Sequence, residues 1–324
     1  DPEGRVSVRG SGDVVIQVNG RKTPFKGDAL AMYLKQLPAS TIERVEVVAN
    51  PAAKYDPEGM AGIVNIVMRE NTDLGLSAAI TVAGSSSDRY NGSGTVGYQQ
   101  GRLNLAGMYS MNNDYRRPRG YMERLNFLGT EVGETIFQDS RTLQESIGHS
   151  FTGSMDFTVR PKTTLSLQAS GSTNGNEGLT VNDYQVLSGE ELLALEWINA
   201  TGTNRDLRSG DLVFGFKRAP AQSNELVLEA RISGSSDASD ARYGNETLSD
   251  LSRYSTTETS TRDASLQLDV TRTVAGFKVE TGARAEQRLI GTDLNREPLG
   301  NSGLLPEQNA FDYDTRIYAG YAQA

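Results

Sequence analysis

The stretch Asp114-Tyr115-Arg116-Arg117-Pro118-Arg119-Gly120-Tyr121 sets three arginines between two tyrosines. Guanidinium forks and aromatic faces acting together can grip an anionic ligand, the forks by paired hydrogen bonds and the rings by their electron-rich faces. The same residues also read as a solvated strand extension whose arginines pair with Glu123. Lys54-Tyr55 is a second cation–aromatic pair. It runs into Asp56-Pro57-Glu58-Gly59, a turn sequence that explains those residues on structural grounds alone, because Pro presets φ and Gly tolerates φ > 0. The candidate ligand-binding residues are therefore Tyr115, Arg116, Arg117, Arg119 and Tyr121, with Lys54 and Tyr55.

Catalytic chemistry has little to work with. There is no cysteine, which removes thiolate metal sites, disulfides and cysteine nucleophiles. His149 is the single histidine, so multi-histidine metal sites are excluded and no Ser/Asp partner is placed beside it by sequence. Gly92, Gly94 and Gly97 fit GxGxxG, yet they sit inside a period-2 strand pattern with no helix opening from it, where a dinucleotide site needs one. Asp237 and Asp240 are loop carboxylates without EF-type spacing. The sequence thus offers no catalytic residue, no cofactor and no metal site, and it reads as a non-enzyme.

The 32 basic and 41 acidic residues leave a net charge of -9, which argues against nucleic acid as a partner. No apolar run approaches the roughly 18 to 20 residues of a membrane-spanning helix. A membrane β-barrel remains open, because only alternate residues of its strands meet lipid.

The elements that carry these residues fall into two textures. Residues 5–26 read as two strands joined at Asn19-Gly20, the residue pair a type I′ hairpin favours, with the return strand at a sheet edge because Pro24 cannot donate to a ladder. Residues 27–37 predict a helix: Asp28 as N-cap, an apolar stripe at Leu30, Tyr33, Leu34 and Leu37, and Pro38 as the stop. Val45 and Val47 alternate with Arg44 and Glu46 as a half-buried strand, and Gly62 to Met68 resumes as an apolar strand covered on both faces. From Leu74 onward, segments of alternating apolar and polar residues take over. Tight turns are expected at Gln100-Gly101, Arg160-Pro161-Lys162, Ala219 to Asn224 and Ala275-Gly276. Long polar loops are expected over about 114–146, 171–205, 234–260 and 291–310, after a short first connection at Ser85 to Asp88. Tight turns at one end and long loops at the other mark an up-and-down transmembrane barrel. Its crossings need only about 9–11 residues each. Trp197, Tyr109, Tyr313 and Tyr321 are candidates for interfacial girdles.

Residues 5–70 resemble the C-terminal half of the plug domain of TonB-dependent outer-membrane receptors. VSVRG followed by DVVIQVNGRKTPF is similar to one plug segment, and LPASTIERVEVVANPAAKYDPEGMAGIVNIVMRE to the segment that closes the plug. The KYDPEGMAGIVNI wording, with NGRK before it, is most similar to the outer-membrane β-barrel-family branch. The resemblance implies a mostly β fold: a small α+β plug segment over 1–70, then an antiparallel up-and-down transmembrane β-barrel over 71–324. That barrel is partial, holding about ten of an expected ~22 strands. It further implies a Gram-negative outer-membrane location and TonB-dependent uptake of a scarce ligand, whether siderophore-iron, cobalamin, glycan or peptide. The expected partners are the TonB energy-transducing complex, through an upstream box, and outer-membrane lipid and lipopolysaccharide. The rival reading is an outer-membrane structural, adhesion or assembly protein whose barrel anchors protein-binding loops. Asp1 and the strand-like closing IYAGYAQA suggest a piece of a longer chain.

Overall fold

The computed structural model describes residues 14–18, 21–22, 34, 42–48, 62–68, 75–85, 88–129, 131–188, 191–221, 224–245, 253–298 and 305–323. They form two sheets. The smaller has the order β2-β1-β4-β3, from β1 (Val14–Val18), β2 (Arg21–Lys22), β3 (Ile42–Val48) and β4 (Gly62–Met68). β1 and β2 pair antiparallel around the Asn19-Gly20 position, with Val18 opposite Arg21. β1 lies parallel to β4, and β3 antiparallel to it. The helix expected over 27–37 lies outside the described residues except for Leu34, which is helical.

Ile63, Val64 and Ile66 of β4 are 1%, 7% and 7% exposed. Successive strand residues point to opposite faces, so both faces of β4 are covered, as its unbroken apolar run predicts. β3 differs from expectation: Val45 and Val47 are 54% and 58% exposed. β3 is the sheet's edge, and its half-buried residue on the other face is Glu46. Asn65 Nδ2 and Arg44 Nε each donate to the Glu46 carboxylate at 2.8 Å. The Asn65 hydrogen bond first, then that from Arg44, holds this carboxyl below the usual carboxylate range. A depressed folded pKa stabilises at neutral pH, and the contribution is lost as pH falls through the folded value. Amide protection of β3 and β4 in the full-length protein should therefore weaken from about 4.3, the free-chain glutamate value, downward. Glu46→Gln should flatten that dependence, and an unchanged pH profile in the variant would refute the assignment.

The larger sheet is an antiparallel meander. Its strands are β5 (Gly75–Ser85), β6 (Arg89–Gln100), β7 (Leu103–Arg116), β8 (Arg119–Leu128), β9 (Glu131–Arg160) and β10 (Thr163–Ser188). It continues with β11 (Glu191–Ala221), β12 (Asn224–Asn245), β13 (Arg253–Val274), β14 (Phe277–Pro298) and β15 (Glu307–Gln323). β7 and β8 both pair with β9 and act as one strand interrupted at Arg117-Pro118, so the sheet fills ten positions, in line with the expected number. The tight turns fall where expected. Ala275 and Gly276 both have positive φ (51° and 87°), the requirement of a two-residue primed turn, and Lys162 (65°) turns β9 into β10.

The long loops are a correction. Most of 114–146, 171–205, 234–260 and 291–310 is paired strand, so β9 to β14 run 22 to 31 residues rather than about ten. Backbone pairing satisfies every ladder group of these polar hairpins without requiring an apolar face. Ser110–Ser150 and Ser172–Ser209 hydroxyl pairs (2.7 Å each) and Thr142–Thr180 (3.1 Å) join neighbouring strands.

Register gives each face its character. Residues directly opposite share a face, and one row runs Leu76, Tyr98, Leu105, Met155, Leu167, Phe214, Ala230, Leu266, Ala285, Tyr318 across all ten positions. Neighbouring rows on this face add Ile80, Phe157, Leu212 and Leu268, all exposed, with Ile80 at 83%. The opposite face carries Ser, Thr, Asn, Gln and paired charges: Arg231 with Asp211 (2.5 Å), Arg288 with Asp263 (2.6 Å), Arg205 with Asp237 (2.8 Å) and Arg284 with Glu286 (2.7 Å).

β15 reverses one expectation. Tyr313, Ile317, Ala319 and Tyr321 alternate as an apolar set, yet they lie on the polar face, and Tyr318 joins the apolar row at 78% exposure. A one-residue choice of register sends every side chain to the other face. Here Tyr321 lies over Gly282 and donates its hydroxyl to Asp269 at 2.6 Å. Tyr109 keeps the apolar face, whereas the Trp197 side chain lies outside what the structure describes.

Candidate functional site

The arginine–tyrosine stretch sits where β7 breaks into β8. Tyr115 opposes Glu145 and Arg116 opposes Gln144, so they face opposite ways. Arg119 opposes Arg141 and Tyr121 opposes Asp139, which places both on the Tyr115 side. Arg117 leaves the strand at the break and folds back on Tyr115, its guanidinium 4.9 Å from the ring centre and its Nε 3.2 Å from the hydroxyl. Tyr121 stacks on Phe137 at 6.3 Å. Tyr115, Arg117, Arg119 and Tyr121 are thus brought to one face.

Arg116 is not part of that group. Its Nε donates to Asp114 at 2.6 Å, and Asp114 also meets Arg89 at 2.9 Å. The hydrogen bond from Arg116 holds the Asp114 carboxyl below its usual range. The charge partner is Asp114 rather than the Glu123 expected from sequence. A guanidinium engaged this way has fewer free donors for a ligand, although Arg116, Arg117 and Arg119 are all exposed. Lys54 and Tyr55 lie outside the described residues.

Sequence reading missed a reciprocal pair of contacts. Arg242 lies over the Tyr254 ring (5.5 Å) and Arg253 over the Tyr243 ring (4.8 Å). The signal was present: Arg242-Tyr243 and Arg253-Tyr254 are repeated dipeptides, and antiparallel pairing sets each arginine opposite the other's tyrosine. His149 is exposed on β9, its Nδ1 2.8 Å from the Tyr109 hydroxyl with the rings stacked. Asp237 and Asp240 fall on opposite faces of β12, because three residues along a strand invert the side chain. They do not converge on one cation. Gly92, Gly94 and Gly97 all lie within β6.

Two solved structures of similar chain course are the ferric yersiniabactin uptake receptor FyuA from Yersinia pestis and the siderophore receptor PiuA from Acinetobacter baumannii. The first is 14% identical with a TM-score of 0.38, covering 95% of this chain and 52% of its own; the second is 10% identical at 0.37, covering 95% and 54%. The chain spans about half the length of both. No curated protein matches it. Residues 218–324 match the model of the outer membrane protein beta-barrel family. Those residues continue the wall whose one face is apolar and whose other face is polar. That match covers about a third of the chain, from the end of β11 through β15.

Proposed function

We propose that this chain is part of a TonB-dependent uptake receptor, with residues 1–70 as the C-terminal part of a plug and 71–324 as the N-terminal portion of the barrel wall. The observation that carries the reading is the second, separate sheet: a barrel that only anchors loops has no use for the folded unit β2-β1-β4-β3, whose sequence resembles a plug. The polar, charge-paired face of the large sheet suits a lumen that surrounds such a plug. Cargo is caught at the long hairpins on the outer side, and TonB, powered from the inner membrane, pulls on the plug to release it. Tyr115, Arg117, Arg119 and Tyr121 form a recognition face on the outward side of the first tall hairpin, continuous with Leu105 and Tyr109, while Lys54 and Tyr55 are a separate contribution from the plug; Arg116 organises that hairpin through Asp114 on the polar face. Their chemistry favours an anionic cargo, and the choice among siderophore-iron, cobalamin, glycan and peptide rests with the hairpins.

A deletion strain complemented with the full-length gene tests this. Cargo accumulation on limiting iron or limiting glycan should return with complementation and vanish when TonB is removed. Arg117→Ala with Arg119→Ala should weaken cargo binding about tenfold, a change of ~1.4 kcal/mol, with outer-membrane amounts unchanged. Surface binding of other proteins with no TonB-dependent accumulation would instead favour the anchoring role.

A further inference from the structure

We infer that two copies of this chain associate side by side in the membrane through a second apolar patch, carried by the outward face of the tall strands β8, β9 and β10. The inference goes beyond the uptake reading and rests on the apolar row of the large sheet facing lipid.

Six residues make the patch. Leu143 and Leu179 stand directly opposite each other on β9 and β10, with Val181 one row further out. Tyr121 stacks on Phe137 at 6.3 Å, and Leu125 lies beyond them on β8. Leu143, Leu179, Leu125 and Tyr121 are 44%, 42%, 46% and 69% exposed. Leu143 is an even number of residues from Met155, as Leu179 is from Leu167, so the patch shares the face of the apolar row. It is not more of the lipid band. From Met155 to Leu143 is about 40 Å of strand. At a tilt of about 45° that is still about 28 Å along the membrane normal, more than the ~25 Å height of a barrel's apolar band. Between the two stand Glu145 and Glu177, directly opposite each other on the same face and without a cationic partner among the described residues. Facing carboxylates need water, so hydrocarbon ends below them.

A contiguous apolar surface held in water marks a contact with protein. The charges around it point to the partner. Arg117, Arg119 and Arg141 balance Glu123, Asp139 and Asp183 on the same face, and Arg141 donates to Asp183 at 3.2 Å. The patch is therefore neutral in a chain of net charge -9. On β11, β13 and β14 the outward face instead carries Asp206, Glu258 and Asp293 in one row, which would repel a second copy. A second copy upright in the same membrane presents the same neutral, apolar patch at the same height. A two-fold axis along the membrane normal then sets patch against patch, the closed symmetry most homo-oligomers use. Both copies are already held upright by their lipid bands, so only rotation in the plane is left to fix, and association costs less orientational freedom than it would in solution.

The test uses the full-length protein in native membranes and in mild detergent. These residues contain no cysteine, so Leu179→Cys places a new thiol in the patch. With an added oxidant it should give a disulfide-linked dimer, whereas Thr180→Cys, its neighbour on the polar face, should give none above the parent protein. Light scattering in detergent should find the parent dimeric. Leu143→Asp with Leu179→Asp should lower the dimer fraction about tenfold with membrane amounts unchanged, since both side chains are exposed and the ladder beneath them is untouched. The parent dimer should persist in about 1 M salt, because screening weakens ion pairs and not apolar contact. A monomeric parent with no link at 179 would overturn the inference, as would equal linking at 179 and 180 or dissociation in salt. A link from 179 to a different protein would assign the patch to that partner and overturn the second copy. TonB-dependent accumulation is a separate readout: its absence in the parent would sink the uptake reading and leave the dimer untouched.

Discussion

Replacing Phe214 by arginine is expected to cost folding into a bilayer about 2–4 kcal/mol, the penalty of a guanidinium at the midplane of a barrel's lipid face. Phe214 lies in the apolar row, between Leu167 and Ala230, and stays 43% exposed because nothing in the protein covers it. Its replacement would leave a charge facing hydrocarbon with no partner on the same row. The control is Ser170→Lys, three residues along β10 from Leu167 and on the opposite face, where Asp211 stands directly opposite. That lysine meets water and a carboxylate, and its effect should stay within about 1 kcal/mol. Urea unfolding of the full-length protein from lipid vesicles measures both. Equal tolerance at the two positions would mean that the apolar face does not face lipid, and the membrane orientation of the sheet would fail with it.

The contrast between these two residues is also what made the lower half of the sheet legible from sequence. Where one face meets lipid, Leu165, Leu167 and Ala169 must alternate with Thr164, Ser166 and Gln168, and a period of two survives in the letters. Turns were equally readable, since Ala275-Gly276 and Pro161-Lys162 stand where a chain has to reverse. Above the apolar band that constraint lapses. Ser172-Thr173-Asn174-Gly175-Asn176 has polar residues on both faces and reads as loop, yet it pairs residue by residue with β9 and β11. Its hydrogen bonds carry no hydropathy signal. Arg117-Pro118 looked like the head of a loop for the same reason, and the strand simply resumes at Arg119.

The candidate site was legible as composition and not as geometry. Sequence put Tyr115, Arg116, Arg117, Arg119 and Tyr121 close together, but only the register shows that Arg116 leaves the group, drawn to the opposite face beside Asp114. One row of glycines was hidden for a further reason. Gly171, Gly210 and Gly234 are unremarkable along the chain and become a feature only when three strands align them.

The β14–β15 register makes the second large prediction. Gly282→Val should destabilise the full-length protein by more than the removal of a hydrogen bond. A side chain at 282 would collide with the Tyr321 ring and come within 2.6 Å of the Asp269 carboxylate. The ring must then leave, and overpacking of this kind costs roughly 1–3 kcal/mol. Losing the Tyr321 hydroxyl's bond to a charged acceptor adds about 1.5–3 kcal/mol, a share that Tyr321→Phe isolates. Tyr321→Ala removes the ring that the valine would displace, so Gly282→Val should cost markedly less in that background. Residues in direct contact couple in this way, and distant ones do not. A cost of Gly282→Val that is the same with and without the Tyr321 ring would mean that Tyr321 does not lie over Gly282. The face assignment of β15 would then reverse, returning Tyr313, Ile317 and Tyr321 to the lipid side, where their alternation alone would have placed them.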